Sequence, residues 1–253
     1  MSRVSPMKKG DVGKLLNRSY ESWYWLGFIL ADGSFSGNRL KLALGEEDQH
    51  QVERFVNYLG KEYTNENSGT FMCINSIPKI KSLLHLSDLP KTYYPPSIKL
   101  IQSLKKEELL SLFIGFVDGD GSIQFQTGRK TTKVSIKLHS SWLDFLQNLV
   151  NKIYCVLDLT QETVAKINNS GYSYVTIGNF SLQKKLKQFY LKYKLPVLVR
   201  KWGKIDLNLE TRKERTDRLS KEAKKLHRKG ATINEVADQL NINYNTAYYA
   251  VRR

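Results

Sequence analysis

Two acidic residues, Asp32 and Asp120, occupy the same place in a repeated sequence. Trp25–Ser34 reads WLGFILADGS, and 88 positions later Phe113–Ser122 reads FIGFVDGDGS. Each copy is an apolar run with an internal glycine, closing on small residue–Asp–Gly–Ser. Read as a helix, each run puts its carboxylate at the C-terminal end, where the helix carries partial negative charge and favours cations. An acid there costs stability unless a positive charge arrives. The same misplacement at equivalent points of a repeat points to a divalent metal site with one acid from each half.

Such a site needs two helices that meet at their ends, and the runs suit that task. Trp25, Leu26, Phe28, Ile29 and Leu30 in one copy, and Leu112, Phe113, Ile114, Phe116 and Val117 in the other, are apolar nearly all round, as in buried helices. Gly27 and Ala31 lie four apart, on one face, as do Gly115 and Gly119. A glycine inside a helix costs about 1 kcal/mol relative to alanine, so it calls for a packing reason. A small-residue face lets two backbones approach and brings Asp32 next to Asp120. Gly33 and Gly121 stand where helices commonly stop in a left-handed turn.

The two segments resemble the LAGLIDADG motif of homing endonucleases in its single-chain, two-motif form, over roughly residues 20–205. The second copy matches closely; the first has Leu30 at the sixth position, where the second keeps Asp118. The family's metal-binding acid is the eighth position, Asp32 and Asp120 here. The resemblance implies an α+β fold of two pseudo-symmetric αββαββα halves forming a DNA-binding saddle. It further implies the carbonyls of Ala31 and Gly119 as extra metal ligands, and basic residues near the scissile phosphates, assigned by position to Lys91 and Lys201. Asp118 reads as a helix-end structural residue.

The 253 residues carry a net charge of +16, the footprint of a protein that binds a polyanion, nucleic acid first. No apolar run reaches the roughly 20 residues that span a bilayer, and the N-terminus lacks a signal-peptide pattern. Cys73 and Cys155 belong to no metal-type cluster and read as reduced packing residues of an intracellular protein.

Along the chain, residues 1–19 read as a loose basic arm, 20–110 as the first half, 111–207 as the second and 208–253 as a third unit. In the first half Leu40, Leu42 and Leu44 alternate with Arg39, Lys41 and Ala43, the period of a half-buried strand. In the second, Val134, Ile136 and Leu138 alternate with Lys133, Ser135 and Lys137. The third unit begins as a charged connector, 208–218, and continues as a helix over Lys221–Lys229. Thr232 then caps Ile233–Leu240, with Glu235 completing a capping box, and Asn245–Arg253 is a final helix. This resembles a helix-turn-helix of the resolvase or recombinase sort. From Arg212 to Arg253 there are 11 basic and 5 acidic residues.

Outward strand faces are the expected DNA readers, because Arg and Lys pair with guanine and Asn and Gln with adenine. They are Ser36, Asn38, Arg39 and Lys41 in the first half. In the second they are Gln124, Gln126, Arg129, Lys130, Lys133, Ser135 and Lys137, with Thr163, Lys166, Asn168, Tyr172 and Tyr174 as weaker candidates. The tail contributes Tyr244, Asn245, Thr246, Tyr248 and Tyr249. The expectation is a monomeric, magnesium-dependent, site-specific endonuclease acting on double-stranded DNA. Manganese substitutes for magnesium, and calcium supports binding without cleavage. The rivals are a non-cleaving transcription regulator and an RNA-splicing maturase that binds intron RNA. No membrane partner is expected.

Overall fold

The computed structural model describes residues 12–36, 39–42, 44–60, 69–72, 77–126, 131–160 and 163–252. The chain divides into two compact units after Ile205. None of the described helices is long and apolar enough to cross a membrane.

The first unit is α+β. Its first half runs α1 (Tyr20–Asp32), β1 (Gly33–Ser36), β2 (Arg39–Leu42), α2 (Gln49–Leu59), β3 (Gly69–Met72) and α3 (Ile77–Leu83). A short α4 (Lys99–Ser103) leads to α5 (Lys106–Asp120), β4 (Gly121–Gln126), β5 (Thr131–His139), α6 (Leu143–Val156), β6 (Lys166–Ile167), β7 (Tyr172–Ile177), α7 (Phe180–Tyr193) and α8 (Val199–Trp202). The sheets are antiparallel, in the orders β1-β2-β3 and β4-β5-β7-β6. The boundary expected between residues 110 and 111 falls inside α5, because Leu109 and Leu110 belong to its buried first turns.

The core is the pair α1 and α5. Ser19 caps α1 by accepting from the Ser22 amide, and every residue from Ser22 to Ala31 is buried. Side chains cannot separate the two helices where the glycines lie. A Cβ on Gly27 would stand 2.0 Å from the Leu112 carbonyl oxygen, and one on Gly115 would stand 1.9 Å from that of Tyr24. The offset of 88 that relates the motifs carries Tyr24 to Leu112 and Gly27 to Gly115, so the two contacts are images of one another.

Gly33 and Gly121 correct the expected left-handed stop. Both are extended, at φ −74°, ψ 150° and φ −88°, ψ 161°. Each begins a strand directly after the acid, with its amide donating to Ile29 or Val117. What demands glycine is space, since a Cβ would meet those same carbonyl oxygens at 2.5 Å and 2.6 Å.

The expected strands hold. Leu40, Leu42, Val134 and Ile136 are buried while Lys41 and Lys137 are exposed. The described part of the expected loose arm is not loose. Leu15 is buried, the Lys14 ammonium donates to the Tyr58 carbonyl at 2.9 Å, and Arg18 donates twice to the Glu108 carboxylate.

The second unit is all helix: α9 (Arg212–Arg228), α10 (Ile233–Gln239) and α11 (Tyr244–Arg252). The expected charged connector is helical from Arg212, because Thr211 and Glu214 form a capping box. The Thr232–Glu235 box is present. The core is small, built on Ala223, Val236, Ala237, Ala247 and Ala250.

Gly27→Ala forces the helix pair apart and should destabilise the protein by about 2 kcal/mol or more. Gly178→Ala, whose Cβ meets nothing within 4 Å, should stay within about 0.5 kcal/mol of the parent protein. Urea denaturation of both variants checks this.

Candidate active site

Asp32 and Asp120 are the last residues of α1 and α5. The glycine contact that joins the helices also joins their ends. A Cβ on Gly119 would lie 2.3 Å from that of Ala31 and 3.2 Å from Asp32 Oδ2. The Asp32 carboxyl is pushed up to about 6, first by burial and then by the charge of Asp120. Asp120 stands open to solvent at its helix end, and the packed atoms around its carboxyl raise it as well, against the pull of Lys91 and Lys201. Two like charges held together in this way are relieved by a cation. Among the described residues no cluster of three or more His, Cys, Asp and Glu could hold a metal.

The positive charge that the helix ends call for is partly built in. The Lys91 ammonium donates to the carbonyls of Leu30, at 2.7 Å, and Ala31. The Lys201 ammonium donates to those of Val117 at 3.1 Å, Asp118 at 2.5 Å, Gly119 at 3.1 Å and Gly121 at 2.7 Å. Leu30 and Ala31 correspond to Asp118 and Gly119 under the motif repeat, so the lysines are equivalent caps. The carbonyls of Ala31 and Gly119, the extra metal ligands implied by the resemblance, therefore each accept from a lysine. Burial lowers both lysines, Lys91 to about 8, while the two acids pull Lys91 back up.

Asp118 is buried and structural, as expected. It accepts from Tyr24 Oη at 2.9 Å, the Leu198 amide at 3.0 Å and Trp202 Nε1 at 2.8 Å. Burial raises its carboxyl to about 6, opposed by those bonds. Gln51 extends the network by donating to Tyr24 Oη and the Pro196 carbonyl. Arg200 pairs with Asp48 through two nitrogens. The first half has Leu30 where Asp118 stands, and among the described residues no equivalent network surrounds Lys91. Sequence reading missed Gln51, Asp48 and Arg200, which carry no motif signal.

Strand register collects the expected nucleic-acid readers on shared faces. Lys41 is opposite Ser34, and Arg39 opposite Ser36. Gln124 is opposite Lys133, and Ser122, Ser135 and Thr176 form one row. Lys137, Tyr174 and Lys166 form another, and Gln126 is opposite Thr131. The Lys137 ammonium lies 4.5 Å from the centre of the exposed Tyr172 ring. Ser34, Ser122 and Thr176 join these faces by register alone.

The Asn168 carboxamide oxygen accepts from the amides of Ser170 and Tyr172 and shapes the turn, and Thr163 is buried against Tyr154 Oη at 2.9 Å. Asn38, Arg129 and Lys130 lie outside the described residues. In the second unit Tyr244, Asn245, Thr246 and Tyr249 are exposed on α11. Tyr248 is half-buried under the Arg252 guanidinium, 4.3 Å from its ring centre.

The raised Asp32 fixes a sign. Its native carboxyl keeps a proton up to about 6, whereas an unfolded aspartate releases it near ~4. The unfolded chain thus binds fewer protons in that window, and stability falls as pH rises through it. In metal-free buffer at pH 7.5, Asp32→Asn should be more stable than the parent protein by about 1–3 kcal/mol. Near pH 4 the gain should vanish. Urea denaturation across pH measures both.

No protein-family model matches the chain, and no curated protein matches it. Solved structures do. The LAGLIDADG homing endonuclease I-GzeII in complex with its DNA target is 14% identical, over 70% of this chain and 85% of that one, with a TM-score of 0.42. The LAGLIDADG meganuclease I-CpaMI bound to uncleaved DNA is 14% identical, over 86% and 94%, with a TM-score of 0.43. I-SmaMI bound to uncleaved DNA target in the presence of calcium ions is 16% identical, over 70% and 86%, with a TM-score of 0.42. This chain is thus similar to solved LAGLIDADG endonucleases, among them a homing endonuclease and a meganuclease.

Proposed function

We propose that this chain is a LAGLIDADG homing endonuclease that binds a long, asymmetric DNA site and breaks both strands with the help of divalent metal ions. The observation that carries the reading is the pair Asp32 and Asp120, held side by side at equivalent helix ends by a glycine interface. A structural helix pair has no use for two neighbouring carboxylates whose ionisation is opposed by burial.

The residues fit a hard cation. Carboxylate oxygens are the ligands magnesium prefers, with water and phosphate oxygens completing its shell. Asp32 and Asp120 would hold it, and Ala31 and Gly119 retain a second lone pair on each carbonyl. When bound, the ion activates water and neutralises charge on the phosphate and the leaving 3′ oxygen. Manganese fits the same donors, and calcium supports binding without the break. Because one chain supplies both acids, a monomer suffices, and because the halves differ in sequence, the site need not be palindromic.

The basic strand faces, with Lys41, Gln124, Lys133, Lys137 and Lys166 outward, suit the major groove. A net charge of +16 supports phosphate binding with strong salt dependence. The helix-turn-helix unit extends the footprint through the exposed start of α11. An intracellular setting goes with a DNA substrate.

The test is cleavage of pooled genomic DNA with sequencing of the break ends. Magnesium or manganese should give discrete staggered breaks, and calcium should give binding alone. Asp32→Asn and Asp120→Asn should each reduce cutting by about 10³-fold or more while leaving binding in place. Specific binding without breaks under any metal would favour a regulator or a maturase, which stimulation of intron splicing would separate.

A further inference from the structure

Three rings and a lysine lie in a row where the two halves meet. The Tyr93 ring stands edge-on to the His139 imidazole, with centres 4.9 Å apart. His139 is opposite Tyr172 in the pairing of β5 with β7, and the Lys137 ammonium lies 4.5 Å from the centre of the Tyr172 ring. Tyr93 is 58% exposed and Tyr172 44%. Exposed aromatic surface gathered in one place marks a surface for contact. The row starts beside one acid and ends beside the other. Thr92, the neighbour of Tyr93, lines a cleft of about 440 Å³ together with Asp32. Its turn is fixed there, because Trp142 Nε1 donates to the Thr92 carbonyl and the Tyr93 amide to that of Pro90, each at 3.1 Å. At the other end Gly121 is opposite Ile136, which brings Lys137 level with Asp120. Val134 and Ile136 face the core, so Lys137 and His139 share the outward face of the sheet.

We propose, resting on the endonuclease reading, that Tyr93, His139, Tyr172 and Lys137 form a stacking platform for unpaired bases. Bases paired in a duplex hide their faces against one another, whereas single-stranded bases offer them to aromatic rings set among cations. Staggered breaks at the two acids leave a short single strand on each DNA end. Those strands lie over the junction of the halves, where the row stands. The rings take the base faces and Lys137 supplies the positive charge that a phosphate chain calls for. The platform thus engages the cut ends and not the intact duplex, and slows their departure.

Fluorescence anisotropy of the full chain without metal reads the stacking apart from any cutting. The probes are a labelled single strand of about eight nucleotides and an abasic oligomer of the same length and charge. The base-bearing strand should bind roughly tenfold tighter. Tyr93→Ala and Tyr172→Ala should each remove most of that difference, Tyr93→Phe should keep it, and Lys137→Ala should weaken both oligomers alike. On target DNA with magnesium, cut ends should leave Tyr93→Ala about tenfold faster than the parent protein. Equal binding of the two oligomers overturns the platform. So does a difference that survives both tyrosine variants and is lost in Tyr249→Ala, which would put the stacking in the second unit. Unchanged release from Tyr93→Ala overturns the holding of cut ends. A base preference carried by Tyr93 and Tyr172 in a protein that breaks no DNA would instead overturn the endonuclease reading on which that holding depends.

Discussion

Everything in the first unit follows from the backbone contact between α1 and α5. Two helices with ordinary side chains pack with axes 8–10 Å apart. Here Gly27 and Gly115 remove the side chains at the crossing, and each presents bare backbone to a carbonyl of the other helix. The small pair Ala31 and Gly119 continues the contact to the helix ends. Asp32 and Asp120 are therefore neighbours by construction. Moving the helices apart by one methyl group would separate the acids as well as open the core, so stability and site geometry depend on the same four small residues.

The electrostatics of those ends form a graded system. The helix ends carry partial negative charge, to which each aspartate adds a full one. Lys91 and Lys201 offset part of this by donating to the terminal carbonyls. The ammoniums are themselves partly desolvated, and their lowered pKa shows that the carbonyls and acids do not repay this fully. The carboxyls remain raised even with both lysines in place. A residual demand for positive charge is thus concentrated where the two halves meet, and a divalent ion is the simplest way to meet it.

Much of this was legible in the sequence. The repeat places both acids and both glycine faces, and period-two alternation identifies β2 and β5 with the correct buried faces. The Thr232–Glu235 box marks α10. What escaped depends on long-range partners. Nothing in the residues near Lys91 or Lys201 says that each ammonium reaches back 60 to 84 positions to cap a helix. Asp118 reads as structural only by its contrast with Leu30, and its partners Tyr24, Leu198 and Trp202 appear only on folding. A glycine after a helix most often turns left-handed, whereas at Gly33 and Gly121 the chain passes straight into a strand and glycine is required for room. Arg212–Arg218 reads as a connector by its charge density, which hides the capping box at Thr211.

The most direct test of the coupled pair is carboxyl NMR of Asp32 and Asp120 through a pH titration, with and without magnesium. Asp32 should titrate near 6, Asp120→Asn should lower this midpoint, and magnesium should lower it in the parent protein. An Asp32 that titrates at its ordinary value and responds to neither change would mean that the two acids do not share a site.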